Sequence, residues 1–172
     1  MMLHRAHLYF AENRPAIATA THYNSAGIYY EQDGPAVLTD WSDPYFFAAA
    51  VRSKLELFSF READLRNHKE SEWPSYLASR ISSIREFKRS YICVTLRGLN
   101  EAELFYDACA QPQGEDDIAL HVTINRYGSD DEFGRKLITL FDRCSAWPGC
   151  YSMKYVRLDS WRRRFEIHPP ER

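Results

Sequence analysis

A chain of 172 residues is long enough for one domain with a real core and short for two of ordinary size. Hydrophobic residues make up 45% and aromatics 15%, with only 7 glycines and 8 prolines, which excludes a disordered or collagen-like chain. The 22 basic and 24 acidic residues leave a formal charge of -2, so the chain as a whole is no polycation for nucleic acid, and a charged partner must be met by one face.

The opening MMLHRAHLYFAENRP carries neither a long apolar run nor a small-residue cleavage site. No later stretch reaches the about 18 apolar residues of a membrane span. A cytoplasmic protein is expected. Its cysteines, Cys93, Cys109, Cys144 and Cys150, are spaced too irregularly for a metal knuckle or a disulfide scaffold, so reduced thiols are expected. Cys144 and Cys150, on either side of AWPG, are the pair that a bridge would join. Cys93, inside the apolar run YICVTL, reads as a small core residue.

In chain order, LHRAHLYF, AIATATHY and GIYYEQ read as three strands of an antiparallel meander, with NSAG and DGP as the turns. Ser42 is placed to cap a helix over residues 43 to 59, where Phe47, Val51, Leu55 and Phe58 repeat at helical spacing. The polar stretch from Phe60 to Trp73 predicts a surface loop or short helix. Pro74 then starts a short helix through Leu77 and Ile81, and Ser83 with Glu86 has capping-box spacing ahead of another turn. YICVTL suits a central strand. Asn100 and Glu103, again at capping-box spacing, predict that a short helix leaves it through NEAELFYDAC. DIALHVTIN alternates as a strand, GSDDEFGRKLITLFDRC reads as a helix, and YSMKYVRL with WRRRFEIH would close the sheet. The sum is a single α+β domain over residues 1–172, an antiparallel or mixed sheet with helices packed mainly on one face.

Three carboxylates, Asp130, Asp131 and Glu132, open the last of these helices. Ser129 and Glu132 have capping-box spacing, and negative charge suits a helix N-terminus, so helix initiation accounts for all three. A hard-cation loop needs about six oxygen ligands at alternating spacing, which GSDDEFGRK lacks. Because cap residues stay exposed, this group remains open to a partner. Glu115, Asp116 and Asp117 form a second acidic group, read either as a solvated turn or as part of an acidic binding edge.

No HExxH or HxH pattern supports zinc, and His4 and His7, three apart in a strand, point to opposite faces. No metal or cofactor is expected. Cys109, His121 and Asp116 or Asp117 supply the residue types of a nucleophilic site, but as composition and not as geometry. No catalytic residue is assigned, and a non-enzymatic protein is expected. Arg162, Arg163 and Arg164, flanked by Trp161 and Phe165, form a strip able to meet phosphate while an aromatic stacks on a base. Its alternative is a strand edge whose positive charge discourages sheet association.

Residues 79–105, SRISSIREFKRSYICVTLRGLNEAELF, run from a basic, serine-containing turn through an amphipathic piece and an apolar strand to an Asn-led segment. This stretch resembles segments of bacterial immunity proteins from contact-dependent growth inhibition systems. The resemblance implies a small cytoplasmic α+β protein that binds a sister cell's toxin domain and blocks its active site. The toxin's chemistry stays open, although a basic nuclease would suit acidic side chains that mimic phosphate. The runner-up is a nucleic-acid-associated regulator working through Trp161 to Arg164. An enzyme of undetected type comes third.

Overall fold

The computed structural model describes residues 4–65, 69–99, 104–112 and 118–147. The expected C-terminal strand pair, Cys150, Glu115 to Asp117 and the strip Trp161 to Arg164 lie outside the described residues.

Eight strands form one sheet: β1 (Arg5–Phe10), β2 (Ala16–Tyr23), β3 (Tyr29–Glu31), β4 (Ala36–Leu38), β5 (Ser59–Phe60), β6 (Ile92–Gly98), β7 (Phe105–Ala110) and β8 (Leu120–Asn125). The main order is β3-β2-β1-β6-β7-β8, with β4 and β5 also paired to β2. Every pairing is antiparallel except β2 with β5. The meander expected at the N-terminus is present. Its turns rest on Gly27 and Gly34, whose φ values of 81° and 73° lie where a side chain would be strained.

Among the described residues, four α-helices, α1 (Pro44–Glu56), α2 (Pro74–Ser79), α3 (Ile84–Ser90) and α4 (Asp130–Ser145), complete the α+β architecture. The two long ones, α1 and α4, share one face. Strand alternation sends Ala6, Leu8, Phe10, Val94, Leu96, Tyr106 and Ala108 toward them, where they meet Phe47, Val51, Phe133, Leu137 and Phe141. Phe10 stacks on Phe141 with ring centroids 5.2 Å apart, and Trp41 stands edge-on to Phe141 at 5.2 Å. Each such side chain contributes about 1.5–3 kcal/mol by leaving water. α1 and α4 approach so closely that a Cβ on Gly134 would lie 2.0 Å from the carbonyl oxygen of Pro44.

α2 and α3 cover part of the opposite face through a smaller cluster of Tyr9, Ile17, Ile81, Phe87 and Tyr91. A buried carboxylate fastens α2 to the sheet. Glu31 accepts from the Tyr9 hydroxyl at 2.5 Å, from the Ser75 amide at 2.9 Å and from the Ser75 hydroxyl at 3.0 Å. Burial alone would raise the Glu31 pKa, yet the neighbouring His7 ring, 3.6 Å away, and hydrogen bonds from Tyr9 and Ser75 outweigh it and hold the carboxyl below its usual value.

Three local expectations are corrected. The N-cap of α1 is Asp43, which accepts from the amides of Tyr45 and Phe46, while Ser42 turns back to Asp40 at 2.6 Å. No helix follows β6 in the described part of NEAELFYDAC: Phe105–Ala110 is β7, and Asn100 to Glu103 lie outside the described residues. Tertiary pairing overrides the local cap signal here, because β7 finds ladder partners on both sides, in β6 and β8. Cys93 points away from the main core, on the face of β6 opposite Ile92, Val94 and Leu96. Among the described residues no helix is long and apolar enough to cross a membrane.

Candidate functional site

Among the described residues β8 is the last strand of the sheet and pairs with β7 alone. In an antiparallel strand the N–H and C=O of one residue point to the same side, alternating along the chain. The Arg126 amide donates inward to Leu104 O at 2.9 Å, whereas the Thr123 carbonyl accepts from Lys136 Nζ at 3.2 Å, on the side of α4. His121, Thr123 and Asn125 therefore turn their backbone groups away from β7, to a side where no further strand lies among the described residues, and Leu120, Val122 and Ile124 use theirs in the ladder. An edge of this kind is a template for a further strand.

Beside the edge runs a groove of about 370 Å³ between β8 and α4, with Leu120, His121 and Val122 on the strand side and Glu132, Arg135 and Arg143 among its helix residues. The acidic start of α4 sits at this groove. The Ser129 hydroxyl accepts from the Glu132 amide at 3.2 Å, as the capping spacing predicts. Each carboxylate also has a cation. Asp130 pairs with Arg52 of α1 at 2.7 Å, and Asp131 and Glu132 pair with Arg135 and Lys136 one turn on, each at 2.9 Å. Asp130 is thus turned into the α1–α4 packing, while Asp131 and Glu132 line the groove. Among the described residues no group of three or more His, Cys, Asp or Glu is placed to hold a metal ion.

On the face of the sheet opposite α1 and α4, the register of β6, β7 and β8 brings four reactive side chains together. Cys109 is directly opposite His121, and Asp107 is opposite Arg97 on one side and Thr123 on the other. His121 Nε2 lies 3.6 Å from Cys109 Sγ, and its Nδ1 lies 3.0 Å from Asp107 Oδ1. Arg97 donates from Nε to Asp107 Oδ2 at 3.1 Å. The sequence pointed to Cys109 and His121 but not to Asp107, and its own candidate acids, Asp116 and Asp117, lie outside the described residues. Asp107 and Cys109 are two apart, a same-face spacing in a strand; reading this segment as a helix concealed it.

No family model matches the chain, and no curated protein matches it. Solved structures do share its fold. A protein of unknown function, NMB0488 from Neisseria meningitidis, is 14% identical, with a TM-score of 0.64 over 83% of this chain and 96% of that one. A chain of the CdiA-CT/CdiI toxin and immunity complex from Yersinia pseudotuberculosis is 8% identical, with a TM-score of 0.61 over 84% of this chain and 98% of that one. At such identities the likeness is one of fold.

Proposed function

We propose that this chain is an immunity protein that binds a cognate toxin domain and blocks its active site, with the β8 edge and the adjoining α4 groove as its docking surface. The observation that carries the reading is the fold shared with a chain of the Yersinia toxin and immunity complex over 84% of this chain. The segment at residues 79–105 points the same way by its resemblance. The open edge supplies a binding mode, because an extended toxin segment can pair with the outward backbone groups of His121 and Thr123 while its side chains enter the groove. Glu115, Asp116 and Asp117, which precede β8 in sequence, would steer a basic partner such as a nuclease, since Asp131 and Glu132 at the groove are already paired with Arg135 and Lys136. No cofactor takes part in this reading.

Growth is the direct test. Expressing the toxin domain encoded beside this gene should arrest cells, and co-expressing this chain should restore them. If the chain protects against no such domain, the reading fails.

A further inference from the structure

The side chains of Cys109, His121, Asp107 and Arg97, on the face of the sheet opposite α1 and α4, play no part in strand pairing at the β8 edge. Their geometry suits one arrangement of protons. Asp107, whose side chain is 8% exposed, is held by Arg97 through Nε and a second guanidinium nitrogen, each at 3.1 Å. An ionised carboxylate only accepts, so His121 Nδ1 carries the proton that reaches Asp107. In that tautomer Nε2 presents its lone pair 3.6 Å from the Cys109 sulfur, where the thiol can donate to it. This is a nucleophile beside a base whose orientation is set by a third group.

We propose that Cys109 is a site of covalent modification, a thiol that exchanges with low-molecular-weight disulfides with His121 as its base. The Cys109 S–H proton passes to His121 Nε2, and the sulfur attacks one sulfur of the disulfide. A new S–S bond forms to Cys109 as the old S–S bond breaks, and the departing thiolate takes the proton from the imidazolium, leaving as a thiol. The Cys109 sulfur is oxidised from the thiol to the disulfide level as the leaving sulfur is reduced from the disulfide to the thiol level. No other oxidant is needed.

Two features favour exchange over acyl transfer. The backbone amides of β7 face ladder partners in β6 and β8, so none of them is free beside the sulfur to hold a tetrahedral oxyanion. Disulfide exchange forms no such oxyanion. Burial and the Asp107 carboxylate push the Cys109 thiol up, against the pull of Arg97, so the resting group is a neutral thiol that depends on a neighbouring base. Among the described residues, Arg5, His7 and Tyr9 on β1 and Cys93 on β6 are further titratable groups of this face, His7 in the cross-strand row of Cys109 through Thr95.

The experiment is timed exposure of the folded protein to glutathione disulfide across pH 6 to 9, with peptide mass spectrometry locating the adduct. Cys109 should be modified ahead of Cys93, Cys144 and Cys150. Its rate should fall about tenfold or more in His121→Gln, and the rise of rate with pH should move to higher pH. Asp107→Asn should act in the same direction, and thermal melts identify any variant that has lost its fold. For a variant that does not fold, the wild-type comparison with an unfolded control decides: Cys109 should react faster at pH 7 in the native protein than in denaturant. Equal rates for wild type and a folded His121→Gln at every pH, first modification at another cysteine, or faster reaction in denaturant would overturn the proposal.

Discussion

Arg52 on α1 pairs with Asp130, the first residue of α4, at 2.7 Å. The same guanidinium donates to the carbonyls of Arg126 and Gly128 and lies over the Phe133 ring at 4.3 Å. One side chain thus closes the turn between β8 and α4 and sets the strand edge against the helix that forms the other wall of the groove. Both partners of the ion pair are mostly buried, with side chains 22% and 28% exposed. Arg52→Ala should therefore cost about 1–3 kcal/mol in urea unfolding, more than an exposed pair contributes. Asp130→Asn, which keeps the shape and leaves both carbonyl contacts, should cost less. Equal stability of Arg52→Ala and wild type would remove Arg52 as the fastener of this turn.

Gly134 tests the α1–α4 contact. On an isolated helix, Gly→Ala gains about 1 kcal/mol. Here the added Cβ would meet the Pro44 carbonyl, a backbone atom that cannot swing aside. Gly134→Ala should destabilise by about 1–3 kcal/mol or more, and a rise in melting temperature would show that the helices can separate at no cost.

The acidic start of α4 is explained by capping and local ion pairs. Ser129→Ala should lower stability by about 1 kcal/mol. A chelator should leave the wild-type melting temperature unchanged. A chelator-induced drop reversed by a divalent metal would contradict this account.

Glu31 makes a pH prediction. Its carboxyl is held below the usual value of 4.5, so its contribution to stability is complete above about pH 4.5 and is lost as pH falls through the lower folded value. Glu31→Gln should lower stability at neutral pH and flatten the acid limb of the stability curve. An unchanged acid limb would mean that the carboxylate is not the group titrating there.

α4 was legible in sequence because two signals agree: the Ser129 and Glu132 cap, and the stripe of Phe133, Leu137, Leu140, Phe141 and Cys144, all buried. β7 was hidden because local and long-range signals conflict. The Asn100 and Glu103 spacing favours a helix, and Asp107 breaks the hydrophobic look of a strand that nevertheless buries it beneath Arg97 and His121. The outward edge of β8 and the Asp107, His121 and Cys109 alignment depend on register across three strands. Composition and periodicity do not encode register. Cys93 shows the same limit in one residue, since an apolar run does not reveal which of its alternating positions meets the helices.

Whether a partner pairs with the β8 edge is decided by the dissociation constant between this chain and its toxin domain, measured for wild type and Thr123→Pro. Proline removes the outward Thr123 amide, which β7 does not use, and so blocks an added strand without breaking the existing ladder. If the toxin docks by strand pairing at β8, Thr123→Pro should weaken binding about a hundredfold or more with a melting temperature close to wild type. A folded Thr123→Pro protein that binds as tightly as wild type would contradict the β8 edge as the docking surface.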